Sequence, residues 1–179
     1  MTDRDNPPIS TRKGDDGTTT LLGAGRLSKA DAPIVVLGDI DEASSFLGLA
    51  RAEATGAGAD EIASVIMDLQ RLLYRVMGDV AMPKEQNFVG EGDVGYVDDA
   101  LEGWRGRTEL PNEFVVPGGS RLGALLDVSR SVVRRAERSM VMAGYMEGHT
   151  DALRAVNRLS DLLFVLARNA DGRYDLSRG

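Results

Sequence analysis

Four charged residues on one stretch of this chain are spaced for anion chemistry. Asp127, Arg130, Arg134 and Glu137 follow steps of three, four and three residues. On a helix that spacing gathers them in a stripe about 80° wide. Leu122, Leu125, Leu126, Val132, Val133, Ala136 and Met140 fall on roughly the opposite side. Two guanidiniums one turn apart repel by a few tenths of a kcal/mol unless an anion or a carboxylate lies between them. Such a stripe can grip phosphates bidentately, with Glu137 steering one arginine or touching the water of a bound metal. It can equally be a salt-bridge ladder within the helix or between subunits.

Three other segments carry candidate chemistry. Lys13-Gly14-Asp15-Asp16-Gly17-Thr18-Thr19-Thr20 combines glycines, hydroxyls and a lysine, the materials of a phosphate-wrapping loop. It has neither the Walker arrangement nor a dinucleotide glycine fingerprint, and a solvated loop is the competing interpretation. Pro117-Gly118-Gly119-Ser120 brings free amides to a helix start, as an anion seat or a plain capping loop. Asn157 stands among apolar neighbours and needs hydrogen-bond partners if buried, so it binds a ligand or fixes helix register. Phe114 begins an apolar run in a loop, where an aromatic is either a core plug or a rigid cavity wall.

Helices must position these groups. An amphipathic period runs from Asp60 to about Ala81 through Ile62, Val65, Ile66, Leu69, Leu72, Leu73, Val76, Met77 and Val80. An earlier helix is expected from Asp39, where Asp39 and Glu42 have capping-box spacing. A shorter one carries Val97, Leu101 and Trp104. Ser120 is the expected N-cap of a fourth, reaching Met142, and a fifth runs from Thr150 or Asp151 to Ala170. With no strand alternation, the pattern implies an all-α five-helix bundle. Residues 1–10 are expected as a disordered lead-in, 11–170 as the domain, with 11–25 as loop, and 171–179 as a flexible tail.

Composition removes whole classes of function. The chain has 179 residues, no cysteine and one histidine, His149. Thiolate sites, disulfides and two-histidine metal sites are excluded, so no metal-ligating residues are assigned. The net charge of −7 argues against nucleic-acid binding. No apolar run suits a membrane span and the N-terminus is no secretory signal, so a cytoplasmic protein is expected. The charge is uneven: residues 11–30 carry +2 and 120–140 carry +3, leaving −12 elsewhere. Two positive islands on an acidic scaffold invite an anionic ligand, or are merely solvated surface.

Together, TRKGDDG at Thr11–Gly17, GDIDE at Gly38–Glu42, FVVPGG at Phe114–Gly119 with RSVVRRAER at Arg130–Arg138, and NRLSD at Asn157–Asp161 resemble the PduO-type corrinoid adenosyltransferases. The resemblance covers Thr11 to Ala170. It implies a homotrimeric five-helix bundle that makes adenosylcobalamin from ATP and cob(I)alamin, with Mg²⁺ and sites at subunit interfaces. One chain would hold ATP through Thr11, Arg12, Lys13, Gly14, Thr19, Thr20 and Lys29. Its neighbour would supply Arg134, Arg135, Glu137, Arg138 and Asn157. Asp41 would pair with Arg130 across the interface, and Phe114 would close the lower axial side of the corrin. A cobalt reductase and a cobalamin-dependent enzyme are the further partners implied. Arg12, Ala43, Asp127 and Leu162 depart from the family pattern, the last two bearing on the corrin contacts. A carrier of the same fold without turnover and an unliganded structural bundle are the competing functions. Titration with Mg-ATP separates the structural bundle, which would bind no nucleotide.

Overall fold

A computed structural model describes residues 10–22, 24–82, 87–145, 150–173 and 175–178. His149 and residues 1–9 of the expected lead-in lie outside the described residues. Five helices form the body: α1 (Ala32–Gly56), α2 (Asp60–Ala81), α3 (Glu91–Arg105), α4 (Arg121–Met142) and α5 (Thr150–Asp171). α1 packs against α2 and α4, and α5 packs against α4 and α3. Two small antiparallel ladders accompany them, β1 (Thr18–Leu21) with β2 (Gly25–Ser28) and β3 (Val115–Val116) with β4 (Asp175–Leu176).

The apolar periods build the core directly. Ile62, Ile66, Leu69, Leu72, Leu73, Val76 and Val80 of α2 are all buried, as are Leu159, Leu162, Leu163 and Leu166 of α5. Each such side chain contributes roughly 1.5–3 kcal/mol on leaving water. Ser120 caps α4 as its sequence demands, its hydroxyl accepting from the Gly123 amide at 2.9 Å.

α1 begins seven residues earlier than Asp39. Pro33 sits in its first turn, where the missing N–H costs nothing and the fixed φ favours a helix. Asp39 and Glu42, rather than forming a capping box, reach across to α4. The Arg135 guanidinium donates to Asp39 at 3.1 Å and to Glu42, and Ser139 donates to Asp39.

The strands lie in segments expected as loop and tail. Thr18 to Leu21 pairs with Ser28 to Gly25 in register. Val115 pairs with Leu176 and Val116 with Asp175, and the Ser177 amide donates to the Phe114 carbonyl at 2.8 Å. Part of residues 171–179 is therefore tied to the Phe114 loop. These ladders are too short and too exposed for an apolar alternation to announce them.

Candidate functional site

The first positive island is the β1–β2 hairpin and its preceding turn. Asp16 organises it: its carboxylate accepts from the Thr18 amide (3.0 Å), the Thr18 hydroxyl (2.7 Å) and Arg26 (2.7 Å). The Thr18 bonds and then the Arg26 guanidinium hold this carboxyl well below the usual aspartate range. Arg26 also donates to the Lys13 carbonyl at 2.6 Å, and Lys29 to the Gly14 carbonyl at 2.8 Å. A Cβ on Gly14 would lie 3.1 Å from the Thr18 carbonyl and 3.2 Å from Lys29 Nζ. Arg12 has φ 57°, an uncommon left-handed conformation for a residue other than glycine. Thr11, Arg12, Lys13, Gly14, Thr19, Thr20 and Lys29 thus belong to one hairpin unit with its cations exposed. Asp16 and Arg26, which staple it, were not among the expected site residues. A lysine–glycine loop gives no local sign of which acid will turn inward.

The second island is the outer face of α4. Arg134 and Arg138 are exposed, and Arg134 has no side-chain acceptor among the described residues. Arg138 donates to the Arg134 carbonyl at 3.2 Å. Asn157 on α5 is exposed rather than buried, and donates to Glu137 at 3.0 Å. This orients the Glu137 carboxylate beside the arginines. Arg135 differs from its neighbours because Asp39 and Glu42 of the same chain already engage it. Asp41 is exposed on α1, and no ion pair joins it to Arg130 within the chain. Nor does any hydrogen bond or ion pair among the described residues tie the hairpin to α4.

Between α4, α5 and the Phe114 loop lies a cavity of about 540 Å³. Phe114, Val115, Asp127, Arg130, Phe164 and Arg168 contribute to its wall. Phe114 is 86% exposed, a large aromatic held up by backbone pairing rather than plugged into the core. A second cavity of about 330 Å³ shares Arg130 and Phe164 and adds Arg134, Asp161 and Arg105. The arginine stripe therefore passes from a chamber of mixed lining, walled in part by Phe114 and Phe164, to an open cationic surface at the other end. Phe164 and Arg168, an i,i+4 pair on the α5 face that carries Asn157, were not among the expected site residues. Leu162 lies fully buried in the core and lines neither cavity.

The arrangement suits a ligand with a polyanionic end and a broad apolar body. Arginine forks and lysines complement the first, and paired aromatics the second. Neither Ser177 of the first cavity nor Ser160 of the second has, among the described residues, a hydrogen bond to a side-chain base that would activate it as a nucleophile. Among the described residues, no three His, Cys, Asp or Glu side chains converge as a metal cage. No helix among the described residues is long and apolar enough to cross a membrane.

Comparison with known proteins gives a consistent result. The family model described as cobalamin adenosyltransferase matches residues 9–170. The corrinoid adenosyltransferase of Mycobacterium tuberculosis is 40% identical over 181 residues, covering 92% of this chain and 90% of the relative. That of Bacillus subtilis is 35% identical, covering 92% and 87%. Among solved structures, a phenylalanine-to-alanine variant of the PduO-type ATP:corrinoid adenosyltransferase from Lactobacillus reuteri, complexed with cobalamin and ATP, superposes with a TM-score of 0.85. It is 27% identical, and the match spans 96% of this chain and 100% of that one.

Proposed function

The chain belongs to the cobalamin adenosyltransferase family, and from that premise we infer how its residues perform the reaction. It is an ATP-dependent corrinoid adenosyltransferase. Cob(I)alamin attacks the 5′ carbon of ATP, a cobalt–carbon bond forms, and the carbon–oxygen bond breaks with its electron pair leaving on triphosphate. Cobalt is the nucleophile, so the protein needs no catalytic histidine, cysteine or serine. Its tasks are to align the two substrates and to stabilise the charge of the departing triphosphate.

We assign the two positive islands to the two halves of one triphosphate site. The hairpin of one copy, with Thr11, Arg12, Lys13, Gly14, Thr19, Thr20 and Lys29, wraps the triphosphate. Arg134, Arg138, Glu137 and Asn157 of a neighbouring copy complete the site. Arg135 belongs to the same stretch and acts by fastening α1 to α4, which sets the position of Asp41. Asp41 in turn pairs with Arg130 of the neighbour. Phe114 and Phe164 wall the corrin, with Phe114 against its lower axial face. Exclusion of a lower ligand there makes cob(II)alamin easier to reduce. Glu137, oriented by Asn157, fits the water shell of a Mg²⁺ carried on the phosphates.

A closed ring of three copies is the assembly we propose, in the cytoplasm where ATP is abundant, with a cobalt reductase upstream and a cobalamin-dependent enzyme downstream. The observation that carries the shared site is the separation of its halves. Among the described residues, Arg134 has no counterion and the hairpin has no hydrogen bond or ion pair to α4 of its own chain, so an anion bridging two chains would satisfy both. The test is formation of adenosylcobalamin from ATP and cob(I)alamin under strong reductant. Saturable product with wild type and its loss in Arg134→Ala support the assignment; identical behaviour of the two refutes it. Mixing Lys13→Ala and Arg134→Ala chains should restore roughly a quarter of the wild-type sites in a randomly assembled ring of head-to-tail contacts.

A further inference from the structure

One buried side chain joins the two parts of the corrin chamber. Arg168 lies on α5, one turn beyond Phe164, with its side chain 1% exposed. A single nitrogen, Nη2, donates to Asp127 at 2.5 Å and to Asp171 at 2.9 Å. The other oxygen of Asp127 accepts from Arg130 Nε at 3.3 Å. The other oxygen of Asp171 accepts from the Ser120 hydroxyl at 2.9 Å. Ser120 ends the loop that carries Phe114. An unbroken polar chain thus runs from Arg130 through Asp127, Arg168 and Asp171 to the base of the Phe114 loop.

The sequence makes room for this chain at a cost. A Cβ on Gly123 would fall 1.9 Å from Asp171 Oδ1, and one on Gly119 would fall 2.6 Å from the Arg173 carbonyl. Arg168 Nε is buried and has no hydrogen-bond partner among the described residues. Buried charge clusters with an unsatisfied donor are poor devices for stability alone, since apolar packing serves as well or better. Such departures from local consistency concentrate where function requires them.

We propose that Arg168 is a positioning residue for the corrinoid half of the reaction, on the assignment of the chamber made above. It shares its one positive charge between Asp127 and Asp171, with Arg130 supplying the second cation at Asp127. Held by Arg168 through one oxygen, Asp127 fixes the Arg130 guanidinium at the cavity wall through the other. Through Asp171 and Ser120, the same guanidinium fixes the loop that presents Phe114. Loss of Arg168 leaves two buried carboxylates without their shared cation and moves both ends of the chamber, while the phosphate-facing Arg134 and Arg138 remain in place.

The test compares wild type, Arg168→Met, Arg168→Lys and Asp127→Asn, reading KM for cob(I)alamin, kcat and the Kd for Mg-ATP. Arg168→Met should raise the corrinoid KM on the order of tenfold while the ATP Kd stays within about twofold. Arg168→Lys, which can still donate to both carboxylates from one nitrogen, should recover most of that loss. Equal changes in corrinoid and ATP parameters, or no change in either, overturn the proposal. Where Arg168→Met does not fold, Asp127→Asn decides: a raised corrinoid KM at unaltered ATP Kd supports the proposal, and wild-type values overturn it. Wild type that makes no adenosylcobalamin removes the underlying functional reading itself. Active wild type with an unaffected variant removes only the role of Arg168.

Discussion

Gly123→Ala should destabilise this protein although alanine is the better helix former. Gly123 lies in the first turn of α4, and an added Cβ would meet Asp171 Oδ1 at 1.9 Å and Cγ at 2.6 Å. Neither approach is tolerable, and the carboxylate must move. It then loses the bond from Ser120 at 2.9 Å and the charged bond from Arg168 at 2.9 Å. Hydrogen bonds to charged groups are worth roughly 1.5–3 kcal/mol each, against about 1 kcal/mol gained by replacing a helical glycine with alanine. The net expectation is a loss of about 2–5 kcal/mol, or a fall in Tm of roughly 4–20 °C for a domain of this size. Gly95→Ala, with nothing within 4 Å of its added Cβ, is the matched control. It should gain up to about 1 kcal/mol. Thermal and urea melts at equal protein concentration measure both. A Gly123→Ala protein as stable as wild type would refute the account of Asp171.

Three further outcomes are expected. Phe114→Ala should lose much more activity from cob(II)alamin with reductant than from preformed cob(I)alamin if it acts at the lower axial face as proposed; equal losses would contradict that role. Arg135→Ala should lower Tm while changing the ATP Kd by less than Arg134→Ala does, since Asp39 and Glu42 already hold Arg135, as melts and titration calorimetry on the two variants would measure. Asp16 should remain ionised below its ordinary value of 3.8. A depressed folded-state pKa adds stability above the unfolded value and loses it as pH falls through the folded one. Hairpin amide protection should therefore be flat from neutrality to about pH 4 and decline only below it. Carboxyl NMR titration and amide exchange, with Asp16→Asn as the unprotected reference, would show this.

What could be read from sequence was what is local. The α2 and α5 cores and the Ser120 cap depend on residues within a turn or two of each other, and periodicity exposes them. Asp39 and Glu42 have the right spacing for a cap, yet their carboxylates serve Arg135, more than ninety positions away. Pro33 was the better local signal for the start of α1. The β3–β4 pair joins Val115–Val116 to Asp175–Leu176 across the whole of α4 and α5, which no short window can reveal. The arginine stripe was legible as a stripe, but its division was not. Arg134 faces outward without an acceptor, Arg135 is tied to α1, and Arg130 shares Asp127 with a buried arginine. Leu162 could be identified as a departure from the family pattern, whereas its place in the core required the packing of α5.

The hairpin with no tie to α4 of its own chain has a consequence for assembly. If ATP is the bridge between two chains, nucleotide occupancy and association become linked equilibria. A ligand that binds only the assembled form favours it by RT ln(1 + [L]/Kd), about 2.7 kcal/mol at a hundredfold excess over Kd. Each nucleotide bound would then slow dissociation of the ring, and each triphosphate released would loosen it. The oligomer's lifetime would report the cell's ATP supply, and dilution without nucleotide should separate the chains sooner than dilution with it.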